Sequence, residues 1–170
     1  MTTMTAQPIS RNLRRPGWLQ GAAVGLTAAI AGTLTLIALG AIGGRGVAIL
    51  STVGMGPWPS AVRALTGASP AVSYLLSHTM LYLLAGIIAL AVARVADRLP
   101  VLLTGLVLVI LAIEFGYLGV MTGWEATGHF DGLTWRSVLV AHLVANLFLL
   151  IGILWVHPSL KLAFRRASED

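Results

Sequence analysis

Pro100–Thr122, PVLLTGLVLVILAIEFGYLGVMT, is apolar on every side and is broken by a single charge, Glu114. Its centre, Leu106-Val107-Leu108-Val109-Ile110-Leu111, has neither the polar face of a surface helix nor the alternation of a membrane β-barrel strand. A segment of this length and character matches the roughly 20 residues needed to cross a hydrocarbon core. Lipid cannot satisfy backbone polar groups, so it must cross as a helix.

The same reading extends along the chain. No Asp, Glu, Lys or Arg occurs from Pro16 to Gly44, from Ala64 to Ala93 or from Ser137 to Leu160. Four spans are expected, near residues 18–42, 71–94, 100–122 and 135–156, between a basic tail over 1–17 and a second tail over 157–170. Span one is longer than the 7–15-residue apolar core of a cleaved signal peptide, its main rival reading. The fold class is therefore an all-α integral membrane protein, a four-helix antiparallel bundle.

Composition agrees. Of 170 residues, 57% are hydrophobic and 10% charged, against about one-quarter charged in a soluble domain. Intrinsic disorder needs the opposite balance. The net charge of +5 comes from 11 basic and 6 acidic residues. It reads as topology and contact with anionic lipid, since no basic soluble face with aromatic partners offers itself to nucleic acid. The absence of cysteine excludes disulfides, thiolate metal sites and iron–sulfur clusters.

Orientation follows from the short segments between spans. Arg11, Arg14 and Arg15 precede span one; Arg94 and Arg98 lie between spans two and three; Lys161, Arg165 and Arg166 follow span four. These eight of the eleven basic residues share one side, leaving Arg45, Arg63 and Arg136 on the other. Both termini are expected in the cytoplasm, and the arginine asymmetry fits a bacterial plasma membrane. The outer connector 43–70 contains Pro57-Trp58-Pro59, which cannot continue a helix, with room for a short interfacial helix over Ser60–Leu65. The second outer loop gathers Trp124, Glu125, His129 and Asp131.

Ionisable groups at membrane depth are costly and are functional candidates by default. There are three: His78 in span two, Glu114 in span three and His142 in span four. At 1.5 Å per residue each lies roughly 5–6 Å outward of its span centre, so the three share a level. Tyr74, His78 and Tyr82 follow one another at intervals of four on one helix face, as do His142 and Asn146, and Tyr117 lies near Glu114. Gly21, Gly25, Gly32 and Gly40 provide a small-residue seam in span one.

Four readings of the cluster stand. It is a structural polar network holding the helices in register. It is a metal site for Zn, Fe or Cu with His78, Glu114 and His142 as ligands. It is a b-type haem site with His78 and His142 as axial ligands. Or it is a proton path with Glu114 titrating and the histidines as relays, although the inner halves of the spans offer little beyond Thr104 to continue it. The corresponding functions are a binding or accessory membrane component, alone, as a homo-oligomer or in a larger complex; a metal- or haem-dependent redox protein; and an oligomeric proton-coupled transporter. No GxSxG, HExxH or P-loop sequence marks an enzyme.

Overall fold

The computed structural model describes residues 17–96, 105, 107, 110–111, 114–116, 119–120, 122–123 and 135–157. Helix dominates, with no strand among the described residues. In chain order the elements are α1 (Gly17–Ile42), a 3₁₀ turn (Gly46–Ala48), α2 (Ile49–Val53), α3 (Pro57–Thr66), α4 (Pro70–Ala96) and α5 (Trp135–Val156). Three helices are long and apolar enough to cross a membrane: α1 with 26 residues, α4 with 27, and α5 over Arg136–Val156. This is the architecture of an integral membrane protein. The described residues between 105 and 123, Glu114 among them, are helical as well. The remainder of the span expected at 100–122, the connector before it, the loop carrying Glu125, His129 and Asp131, and both tails lie outside the described residues.

Helix α1 is the centre of the packing and touches both α4 and α5, which touch each other much less. Small residues make this possible. A Cβ at Gly21 would stand 2.7 Å from the Gly86 carbonyl oxygen and from the Ile87 Cα. A Cβ at Gly25 would collide with the Tyr82 backbone. Further along, Gly32 faces Ala141 and Ala145 of α5, and Gly152 of α5 admits Val24 of α1. Lipid tails are as apolar as leucine, so dispersion across such close seams supplies most of the attraction. Leu26, Ile30 and Leu34 on α1, Met80, Leu84 and Ile88 on α4, and Leu143 and Leu147 on α5 remain exposed, as lipid-facing residues would.

Two buried clusters form along the seams. One joins Val24, Ala28 and Ala29 to Tyr82, Ala89, Ala145 and Leu149. The other joins Leu36 to Tyr74, Val138 and Ala141, and takes in Ile49, Leu50 and Val53 from the connector. The connector 43–70 is thus more structured than its sequence implied. Ile49, Leu50 and Val53 share a helical face, which folds under the loop against Leu36 and Tyr74. Gly40 clears the way, since a Cβ there would come within 2.9 Å of Ile49.

Helix α3 begins at Pro57, three residues before the Ser60 start expected of it. Pro57 sits in the first turn behind Gly56, where a missing amide hydrogen costs nothing. Pro-Trp-Pro cannot continue a helix but can start one. The helix stops at Gly67, left-handed at φ 69°, whose N–H donates to the Arg63 carbonyl at 2.8 Å. Its surface exposes Trp58 and Leu65, and Arg63 reaches back to the Met55 sulfur at 3.2 Å.

Candidate functional site

Tyr74 belongs to one buried cluster and Tyr82 to the other, with His78 midway between them on α4; on α5, Ala141 and Ala145 flank the two sides of His142 in the same fashion. The histidines therefore occupy the junction of the clusters, 5% and 7% exposed respectively. An imidazole does not belong among alanines and leucines unless it has polar company. Here α4 and α5 present their histidines to each other with ring centroids 5.9 Å apart.

The company is supplied by Glu114 and Asn146. Asn146 Nδ2 donates to Glu114 Oε1 at 2.6 Å, and Tyr82 Oη donates to Asn146 Oδ1 at 3.3 Å. His142 Nδ1 stands 3.7 Å from Glu114 Oε2, within ion-pair distance when the imidazole carries its second proton. A single asparagine one turn along from His142 thus ties α4, α5 and the helical residues around Glu114 into one chain of contacts. Both ends of its amide are used, which is how a buried amide avoids a desolvation penalty.

Aromatic packing completes the group. Tyr74 stacks on His78 with centroids 5.1 Å apart and planes 22° from parallel. Tyr82 lies 4.8 Å from His78 and 6.4 Å from His142, edge-on to the latter. The Nε2 of His78 points at α1, where a Cβ on Gly32 would be 3.2 Å away. Neither that nitrogen nor Glu114 Oε2 makes a hydrogen bond among the described residues, although both are buried.

The structure therefore brings His78, Glu114, His142, Tyr74, Tyr82 and Asn146 into one neighbourhood. Tyr117 lies outside the described residues. Sequence spacing placed Asn146 beside His142 but gave no sign that it would be the hub, because an asparagine can pair with any neighbouring donor or acceptor. Gly32 was legible as part of a seam, not as the residue that gives His78 its space.

Chemically, the arrangement is a hydrogen-bonded chain from Tyr82 through Asn146 to Glu114, with His142 at ion-pair distance. Among the described residues no group of three or more His, Asp or Glu side chains is placed to hold a metal ion. Glu114 and His142 form a pair, while His78 turns its Nε2 toward Gly32. A porphyrin between the two imidazoles would have to displace Tyr82, which packs against both. Ser77, next to His78, donates its hydroxyl to the Tyr74 carbonyl at 3.0 Å. No family model matches the chain, and no curated protein or solved structure matches it either.

Proposed function

We propose that this chain is a four-helix antiparallel membrane protein that serves as a binding or accessory component, with the His78–Glu114–His142 group as the polar lock that fixes its helices in register. The observation that carries the reading is the relay from Tyr82 through Asn146 to Glu114, flanked by both histidines. Such a relay makes its bonds only when α4, α5 and the segment around Glu114 share one rotation and depth. In a membrane each bond is worth about 0.6 kcal/mol on average, so its value lies in specifying the arrangement more than in strength.

The topology has independent support. Rising residue numbers on α1 meet falling numbers on α4, from Gly21 opposite Gly86 to Gly25 opposite Tyr82. They also meet falling numbers on α5, from Val24 beside Gly152 to Gly32 beside Ala145. Helices α4 and α5 therefore run the same way, and the chain must cross back between Ala96 and Trp135. The span read from sequence at 100–122 is our candidate for that return. The arginine distribution supports cytoplasmic termini and fits a bacterial plasma membrane.

A second reading draws on the two buried atoms without hydrogen bonds, His78 Nε2 and Glu114 Oε2. An orphaned buried polar atom costs about 1–3 kcal/mol, which an ion or proton would relieve. That favours a metal-dependent or proton-coupled role for the same group.

The readings separate on purified protein. The lock predicts that Asn146→Leu and Glu114→Leu lower resistance to unfolding in mixed detergent micelles, while elemental analysis finds no stoichiometric metal in wild type and the optical spectrum lacks a Soret band. One equivalent of metal that disappears in His78→Ala or His142→Ala would replace the lock with a metal site. Proton-driven flux in liposomes that Glu114→Gln abolishes would replace it with transport.

A further inference from the structure

A groove opens on the flank of the bundle where α1 begins and α5 ends. Its volume is about 570 Å³, and it runs between Gln20, Ala23 and Thr27 of α1 and Phe148, Ile151 and Trp155 of α5. At 1.5 Å per residue it is roughly 10–12 Å long, most of the ~15 Å that one leaflet contributes to a ~30 Å hydrocarbon core. Thr27 turns its hydroxyl back onto the Ala23 carbonyl at 2.9 Å, so its outward surface is methyl. Apart from the Thr27 hydroxyl, the polar groups of the lining are the Gln20 amide and the Trp155 indole N–H, and both belong to one end of the groove.

That end is where the charge lies. Arg94 of α4 donates to Gln20 Oε1 at 2.9 Å. Its guanidinium lies over Gly17, where any Cβ would collide with it. A guanidinium carries five N–H donors in a fork that matches phosphate, and this one donates to Gln20 through a single nitrogen. Trp18 and Trp155, 60% and 79% exposed, stand at the same end, as aromatic residues do at the boundary between acyl chains and headgroups.

We propose that this groove is a binding site for one anionic glycerophospholipid, its acyl chain lying between α1 and α5 and its phosphate held by Arg94. The apolar floor selects a hydrocarbon chain, and the cation at one end selects which lipid supplies it. A zwitterionic lipid brings its own ammonium group to the arginine and gains less. Basic pockets between membrane helices recognise anionic headgroups by the same complementarity. The site uses none of the residues of the polar lock and stands whether or not that lock has a further role.

The test uses the full chain in nanodiscs of equal parts phosphatidylglycerol and phosphatidylcholine, released for native mass spectrometry. Wild type is expected to retain one phosphatidylglycerol per chain in preference to phosphatidylcholine. Ala23→Phe, which fills the groove from an exposed position, and Arg94→Gln should each reduce that retention at least fivefold, with Arg94→Lys between Arg94→Gln and wild type because it keeps the charge but loses the fork. Far-UV circular dichroism reports whether each variant keeps its helices, and Thr27→Phe replaces Ala23→Phe if the latter does not. Equal retention of the two lipids overturns the proposal. So does a loss with Arg94→Gln that neither groove-filling variant reproduces, since the lipid would then bind by its headgroup alone.

Discussion

Replacing the glycines of α1 by alanine should destabilise the bundle in an order set by what each new methyl meets. At Gly25 the added Cβ collides with the Tyr82 backbone. At Gly21 it stands 2.7 Å from Gly86 and Ile87 backbone atoms, about 0.7 Å inside the 3.4 Å at which ordinary contact begins. At Gly32 the closest atom is the Ala145 Cβ at 2.9 Å, with the Ala141 carbonyl oxygen and His78 Nε2 at 3.2 Å. Backbone cannot swing aside as a side chain can, so α1 and α4 must separate. A gap of 0.5–1 Å forfeits about a quarter to a half of each dispersion contact along the seam, and overpacking costs about 1–3 kcal/mol. Against this, alanine gains about 1 kcal/mol of helix propensity over glycine. The balance is a loss of about 2 kcal/mol for Gly25→Ala and about 1 for Gly21→Ala and for Gly32→Ala, since an alanine Cβ is as fixed as backbone.

Gly116 provides the control. A Cβ there has nothing within 4 Å among the described residues, so Gly116→Ala keeps the propensity gain and should be neutral or stabilising by up to about 1 kcal/mol. Reversible unfolding in mixed micelles, followed by circular dichroism, ranks the four proteins. A Gly25→Ala protein as stable as wild type, or a Gly116→Ala protein less stable than Gly25→Ala, would refute the argument that close backbone approach holds α1 to α4.

Two further substitutions probe the outer connector. Ile49 is 1% exposed against Leu36 and the Gly40 backbone, so Ile49→Ala should cost about 2–5 kcal/mol if α2 is part of the core; an unchanged unfolding midpoint would make the connector a mere loop. Gly67→Ala forces an alanine to φ 69° and should cost about 1–2 kcal/mol, read as faster hydrogen exchange across Pro57–Thr66 with little change in α4; unchanged exchange would show that the α3 terminus bears no such constraint.

The membrane explains which parts of this protein were legible in sequence. In a soluble helix the apolar face marks the core, but here Leu26 and Leu36 are equally apolar although one faces outward and the other is wholly buried. The 3.6-residue hydrophobic period therefore falls silent, and the packing face is written in small residues instead. Gly21 and Gly25 marked a seam, yet nothing in their spacing said that they meet α4 while Gly32 meets α5. The connector helices were hidden for a different reason: Gly46–Val53 is too short for any period to show, and its three buried residues gain meaning only from Leu36 and Tyr74, which are distant in sequence. The polar group was the most legible feature because lipid gives His78, Glu114 and His142 only one acceptable direction, inward, and the helix rise then sets their common level. Convergence was therefore readable from chain position alone. Pairing was not, because imidazole, amide, phenol and carboxyl can be joined in many ways at one level. The choice of Asn146 as the bridge from Tyr82 to Glu114 depends on helix rotations that the close seams of α1 help to set. In the proposed reading the polar group and the glycine seams thus work together, the seams setting the angle at which Tyr82, Asn146 and Glu114 meet.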